Sequence, residues 1–333
     1  MKKRVGVILI LIIILLLAYV LKDIDFKKVF NAVQNINLFY FGIAFLFCFI
    51  SFLLWNMRQY LLLKDFVKAD YSFLLTVLFA GVFMNTITPG TGIGGEPVRA
   101  YFLNKKYKKP KSKFLGFIMV EKVINYLVFG GFLIFSFLFL ILFLNMDSKI
   151  KLTLEIILLL AVLFTIGTLI LGMKRKKLKA QNYLEKLYNL NVIKKNFENK
   201  REFVRYINKR LANFSESFFS AFNGKKKFLI LILISLLMWL SNYFVSYALF
   251  FSFNYKISFL AVVIAVTLSY LIGDLSIIPG GIGLMESTMF LTYSAMGVSP
   301  EIAAVISLLS RIIYYFYSLL IGGLSLIYLK IKK

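Results

Sequence analysis

Long apolar runs, separated by short basic segments, set the pattern of this chain, which shows neither the alternation of half-buried strands nor the one-sided stripe of a soluble helix. Runs occur at residues 5–21, 38–54 continuing toward 63, 114–144, 152–173, 228–253 and 302–329. A helix needs about 20 apolar residues to cross hydrocarbon, so these six runs predict six full membrane crossings. The first follows Met1-Lys2-Lys3-Arg4 as a signal sequence would. It lacks a small-x-small cleavage site before Lys22, so it is read as an uncleaved first span.

Two further apolar segments do not fit as simple spans. Residues 72–87 follow a modestly basic loop, and the next hydrophilic segment, 104–113, carries six lysines that belong on the same cytoplasmic side. The chain must therefore enter and return. Its turning point is Thr88-Pro89-Gly90-Thr91-Gly92-Ile93-Gly94-Gly95-Glu96-Pro97, too rich in Gly and Pro to continue a helix. The same counting makes residues 259–299 a second hairpin, entering from the other side and turning at Ile278-Pro279-Gly280-Gly281-Ile282-Gly283-Leu284-Met285-Glu286. Broken backbone at membrane depth is tolerated only where protein or water covers it, so both are expected to be re-entrant.

The two turning points look like copies. Each has Pro-Gly, further glycines, and a Glu seven residues after the Pro, Pro89 to Glu96 and Pro279 to Glu286. Each precedes a long span with one basic residue near its start: Lys122 lies 26 residues after Glu96, and Arg311 lies 25 after Glu286. A span, a hairpin and a charged span, twice and in opposite orientation, make an inverted repeat. The expected organisation is an all-α polytopic membrane domain of six spans plus two hairpins. Residues 38–145 form the first repeat, 152–173 a connecting span, 174–227 a basic linker and 228–329 the second repeat.

Composition agrees: 60% of the 333 residues are hydrophobic and only 17% are charged, where soluble domains keep about a quarter charged. Forty Lys plus Arg against fifteen Asp plus Glu give a formal +25. In a soluble protein this would suggest nucleic acid. Here the basic residues cluster at 1–4, 104–113, 174–227 and 330–333, outside the apolar runs, so the expected partners are anionic inner-leaflet lipids. Both termini are placed in the cytoplasm and the chain in the cell membrane. A homo-oligomer is compatible with the sequence. Absence of histidine removes His-based triads and His-ligated zinc, and no cofactor or metal is expected. The single Cys48, inside an apolar run, is read as a buried small hydrophobe. Residues 174–227 carry sixteen basic and four acidic residues, with Leu184, Leu187, Tyr188, Phe203, Ile207, Leu211, Phe214 and Phe218 at helical spacing, which predicts amphipathic helices on the inner leaflet.

Thr88-Pro-Gly-x-Gly-x-Gly-Gly-Glu-Pro-x-Arg99, joined to Pro279-Gly-Gly-Ile-Gly-x-x-Glu286, resembles the flippase-like membrane family related to the transmembrane region of lysylphosphatidylglycerol synthase. The resemblance extends over residues 5–329. It implies lipid translocation; the acyltransferase-like domain that makes the aminoacyl lipid in full synthases has no counterpart here. Where the family commonly has Glu-Arg followed by Asp, this chain has Glu121, Lys122 and Asn125. Lysine keeps the charge and loses the planar, two-pronged phosphate grip, so head-group identity does not carry over.

Ionisable groups at membrane depth are costly and mark candidate sites. Here they are Glu96, Arg99, Glu121, Lys122, Asp274, Glu286 and Arg311. Four acids facing three bases permit mutual pairing that ties the hairpins to neighbouring spans. They also suit a polar route for a lipid head group, with Arg311 and Lys122 on phosphate and Glu96 and Glu286 on an amine, a coupling proton or a base. Pro89, Gly90, Gly92, Gly94 and Gly95, with Pro279, Gly280, Gly281 and Gly283, would supply backbone N–H groups as an anion nest. Asn85, Thr86 and Thr88 are expected to satisfy backbone groups freed by the first break. The leading function is a non-enzymatic lipid translocase for an anionic or glycosylated lipid. A secondary transporter of a small anion or ion is the alternative. A membrane glycosyltransferase is third, resting on Asp23 and Asp25 as metal-holding carboxylates. No nucleotide-binding phosphate loop is present.

Overall fold

The computed structural model describes residues 36–89, 94–143, 199–220 and 224–331, together with positions 34, 162, 167 and 222. The expected spans at 5–21 and 152–173, the glycines Gly90 and Gly92, and the pair Asp23 and Asp25 lie outside these residues. Every regular element among the described residues is helical.

Helix α1 (Leu38–Leu63) begins at Asn37, whose side chain accepts from the backbone N–H groups of Phe39 and Tyr40. After a short turn, α2 (Tyr71–Ile87) is capped by Asp70 in the same way. The break at residues 88–94 leads to α3 (Gly95–Tyr107) and then α4 (Lys111–Phe143). Helix α5 (Lys200–Ser220) lies in the basic linker and α6 (Lys225–Ser252) follows. Helix α7 (Phe259–Leu275) ends at a second break, which contains a single tight turn at Pro279–Gly281. Helices α8 (Leu284–Ala295) and α9 (Pro300–Tyr315) come next. A widened π-turn at Phe316–Ile321 joins α9 to α10 (Gly322–Ile331).

Four helical stretches among the described residues are long and apolar enough to cross a membrane: α1, α4, α6 and the joined α9–α10. Helices α2 and α7 are apolar and have 17 residues each. At 1.5 Å per residue each spans about 26 Å, less than the hydrocarbon thickness of about 30 Å. The order of long helix, 17-residue helix, break, short helix and long helix therefore occurs twice.

Contacts at the helix ends fix their directions. Helices α1 and α6 form the most extensive pair and run antiparallel: Asn37 N–H donates to Ser252 O at 2.8 Å at one end, and Lys227 meets Asp65 at 2.7 Å at the other. Small buried residues on the two helices, Ala44, Cys48, Ser51, Ser235 and Ser246, permit the close approach that drives association in lipid, where apolar burial gains little. Helix α3 returns to where α2 began, since Tyr107 Oη accepts from Asp70 N–H at 3.0 Å and Lys106 meets the Asp70 carboxylate at 2.8 Å. Helix α8 likewise ends beside the start of α7, where Tyr255 Oη donates to Gly297 O at 3.4 Å. The first hairpin is thus rooted at the Asp65 end of the α1–α6 pair and the second at the Ser252 end.

The α5 helix is amphipathic, as its spacing predicts. Its stripe does not lie open to the inner leaflet along its whole length: Phe218 joins a buried cluster with Phe114, Phe117 and Ile118, and Phe214 packs against it. Gly116 of α4 admits this contact, because a Cβ there would stand 2.6 Å from Phe214 O. Leu38, Phe39, Leu142, Leu229, Leu233 and Leu324 are exposed, as lipid-facing positions of a polytopic protein are.

Candidate functional site

The two breaks meet. Gly280 at the second lies against Thr86 at the end of α2, so closely that a Cβ on Gly280 would approach the Thr86 carbonyl to 3.2 Å. Its φ of 62° belongs to the left-handed region, which glycine enters without cost. Around this meeting point is a cavity of ≈ 190 Å³, to which every described helix except α5 and α10 contributes. Of the seven charges singled out in the sequence, Glu96, Arg99, Glu121, Lys122, Asp274 and Arg311 line it. Glu286 is buried behind Arg311 and does not.

The first break is spanned by a side chain. Asn85 Oδ1 accepts from Gly95 N–H, and Asn85 Nδ2 reaches Glu96 Oε1 at 3.5 Å. Thr86 and Thr88 donate back to Val82 O and Met84 O, closing the end of α2. These three residues serve the backbone as the sequence indicated. Glu96 and Arg99 are three apart in the first turns of α3, hence on one face, and both reach α4. Lys122 Nζ lies 3.0 Å from Glu96 Oε1. Arg99 Nη2 contacts both oxygens of Glu121, at 2.9 and 2.8 Å, and Gln59 Oε1 at 2.7 Å. Trp55 Nε1 adds a bond of 3.1 Å to Glu121. Glu96 is only 4% exposed, and its Oε2 has no hydrogen-bond partner among the described groups. The Lys122 side chain is 29% exposed.

At the second break Arg311 Nε contacts Glu286 Oε1 at 3.2 Å, while Nη2 donates to Gly280 O at 2.7 Å and to Tyr315 Oη at 2.9 Å. The rings of Tyr314 and Tyr315 flank its guanidinium at 5.1 and 4.8 Å. Glu286 Oε2 accepts from Gly283 N–H at 2.7 Å. The acid therefore caps α8 and holds the arginine that binds the turn.

Pairing thus accounts for Glu96–Lys122, Arg99–Glu121 and Glu286–Arg311, each tying a short helix to the long helix after it. Asp274 lies on the exposed last turn of α7 and also lines the cavity. The expectation of an open N–H nest is corrected where it can be checked. The N–H groups of Gly95, Gly281 and Gly283 are taken by Asn85, Ile278 O and Glu286. Gly280 presents its carbonyl to Arg311. A broken helix must satisfy its own freed backbone first, so side chains supply the donors facing the cavity. Pro89 is exposed, Pro279 half-buried, and Gly94 half-buried directly before α3.

Sequence reasoning passed over Arg58, Gln59 and Trp55. Arg58 lines the cavity at 2% exposure and donates through Nη1 to Ser235 Oγ at 2.8 Å and Asn125 Oδ1 at 3.4 Å. It makes the charges at this depth four acids and four bases. The signal was present: an arginine followed by Leu61-Leu62-Leu63 inside an apolar run.

Comparison with known proteins gives one picture. The family profile described as the lysylphosphatidylglycerol synthase TM region matches residues 6–322. A UPF0104 membrane protein of Pyrococcus horikoshii is 26% identical over 287 residues, covering 85% of this chain and 84% of the relative. One from Methanocaldococcus jannaschii is 24% identical over 331 residues, covering 98% and 95%. One from Methanothermobacter thermautotrophicus is 23% identical over 316 residues, covering 94% and 92%.

Proposed function

We propose, from the premise that this chain belongs to the lysylphosphatidylglycerol synthase TM-region family, that it moves a polar-headed lipid, anionic or glycosylated, between membrane leaflets without covalent chemistry. The observation that carries this reading is the cavity itself: four basic and three acidic side chains line a space among the helices at the meeting point of two breaks. Its ≈ 190 Å³ is below the usual range for drug-sized ligands, about 300–1,000 Å³. A head group fits there and acyl chains do not. Beside Asp274, Leu275 and Ile277 are 73% and 67% exposed. An apolar lip next to a charged cavity suits an amphiphile, whose tails stay in lipid while its head enters.

The roots of the hairpins at opposite ends of the antiparallel α1–α6 pair support the inverted repeat. With both termini in the cytoplasm, the first hairpin enters from inside and the second from outside, and neither 17-residue helix crosses alone. In this arrangement Lys122 and Glu96 exchange their mutual contact for contacts with the incoming head group, while Arg311 and Glu286 keep the second break closed. Translocation is by equilibration or driven by a gradient, in the cell membrane.

The test is leaflet exchange of tail-labelled phospholipids in proteoliposomes. Wild type is expected to accelerate exchange over protein-free vesicles, and Glu96→Gln to slow it with folding intact. Absence of acceleration across several lipid classes would overturn the reading. The small cavity favours one other function, transport of a small anion, which the same vesicles test by uptake. For topology, single cysteines at Asn104 and Ser299 in a Cys48→Ser background are expected to label from opposite sides; labelling from one side removes the inverted repeat.

A further inference from the structure

We propose that the Arg58 end of the cavity is a phosphate seat, with Arg58 the residue that selects a phosphate-bearing lipid; this rests on the lipid-translocation reading above and names its substrate chemistry. The four bases lining the cavity are not equivalent. Arg99, Lys122 and Arg311 each have a carboxylate within 3.2 Å. Arg58 has none among the described residues: its two hydrogen bonds go to the neutral oxygens of Ser235 and Asn125. Glu121, itself bonded to Arg99, acts on Arg58 only through space, and a buried guanidinium with no directly bonded carboxylate is costly, because a charge removed from water is compensated well only by an opposite charge at close range.

Hydrogen-bond accounting points the same way. Three buried N–H donors have no acceptor among the described groups: Arg58 Nε, Gln59 Nε2 and Arg99 Nε. Gln59 accepts from Arg99 through its carbonyl oxygen at 2.7 Å. Arg58 and Arg99 line the cavity. Both Arg58 bonds use Nη1, and Nε has no partner among the described groups. An anion with several oxygens satisfies such a cluster as no cation or uncharged sugar does, and a guanidinium edge matches phosphate in two-pronged geometry. Phosphate bound here would supply the directly bonded counter-charge that Arg58 lacks. Lys122, nearer the open side, would meet it on entry.

The experiment compares leaflet exchange of tail-labelled phosphatidylglycerol with that of the same diacylglycerol carrying one hexose and no phosphate, in wild-type, Arg58→Gln and Arg58→Lys proteoliposomes. Wild type is expected to prefer the phosphate-bearing lipid by about tenfold or more, as a charge-assisted pair implies. Arg58→Gln is expected to bring that ratio close to one, with Arg58→Lys between them. A wild-type ratio near one overturns the seat whether or not the variants fold. A wild-type preference that persists in folded Arg58→Gln also overturns it, leaving lipid translocation intact. If Arg58→Gln fails to fold, competition on wild type decides: soluble glycerol phosphate is expected to slow exchange and free hexose is not, and the reverse overturns the proposal. If wild type exchanges neither lipid, the translocation reading fails by itself. Uptake of labelled inorganic phosphate that depends on Arg58 would then uphold the seat for a free ion, and no such uptake would overturn both.

Discussion

At the second break an arginine holds three partners at once: Glu286, the Gly280 carbonyl and the Tyr315 hydroxyl, all within 3.2 Å. At the first, a lysine in the corresponding place meets Glu96 at 3.0 Å, keeps 29% of its side chain exposed, and leaves one oxygen of that acid without a hydrogen-bond partner. The acids sit alike, each in the first turn of a short helix behind glycines. The bases differ, and the base decides the use. Arginine's planar fork can bind carboxylate, carbonyl and hydroxyl together, whereas lysine's ammonium is a point charge on a flexible stem. One break is held by an arginine clamp; at the other the base is partly exposed and its acid has an oxygen to spare.

The largest effect should come from breaking the clamp. Arg311→Ala leaves Glu286 buried without its base and Gly280 O without its donor, a loss of about 3–5 kcal/mol for a buried pair. Thermal unfolding in detergent should show a large fall in Tm and loss of monodisperse protein. Arg311→Lys keeps the charge and forfeits the fork, and a smaller loss of about 1.5–3 kcal/mol is expected from its charged hydrogen bonds. The mirror substitution, Lys122→Arg, should leave Tm nearly unchanged. Comparable losses in both would mean that the two pairs are equally rigid.

Smaller effects are expected where the hairpins begin. Helix α2 is capped by Asp70, and α7 starts at Ser258 without a side-chain cap bond. Asp70→Ala should therefore cost about 1 kcal/mol, with Ser258→Ala close to neutral in the same unfolding assay. The Lys106 ammonium, and then the Phe73 N–H, hold the Asp70 carboxyl below its ordinary value. A depressed carboxyl contributes its stability above the usual carboxylate range and loses it as pH falls through the folded value. The Tm difference between wild type and Asp70→Ala should accordingly shrink on acidification below about pH 4.

Much of this was legible in the sequence because lipid makes polar residues conspicuous. The helix limits of α2, α4, α6 and the joined α9–α10 fall within three residues of the apolar runs. The spacings of 26 and 25 residues from glutamate to base correspond to real ion pairs. Arg58 was missed because Trp55-Asn56-Met57-Arg58-Gln59 resembles the interfacial end of a span; tertiary packing against Ser235 and Asn125 draws it inward. Chain neighbours Glu121 and Lys122 could not be assigned partners from spacing alone. They project about 100° apart on α4, and only the position of α3 sends one to Arg99 and the other to Glu96. At Gly95, Gly281 and Gly283 the N–H groups are taken within the protein, because a string of glycines shows where backbone is freed, not which group takes its N–H.

The most direct measurement is the leaflet-exchange rate per folded molecule, read beside Tm, for wild type, Lys122→Ala and Arg311→Lys in identical vesicles. The account predicts that Lys122→Ala loses about tenfold or more in rate per folded molecule, the value of a charged contact with the head group, beyond the fall in Tm that comes from leaving the buried Glu96 without its base. It predicts that Arg311→Lys loses Tm and a smaller share of its rate. An intact rate in Lys122→Ala, or the greater loss per folded molecule in Arg311→Lys, would contradict the division between a partly exposed base and a clamping one.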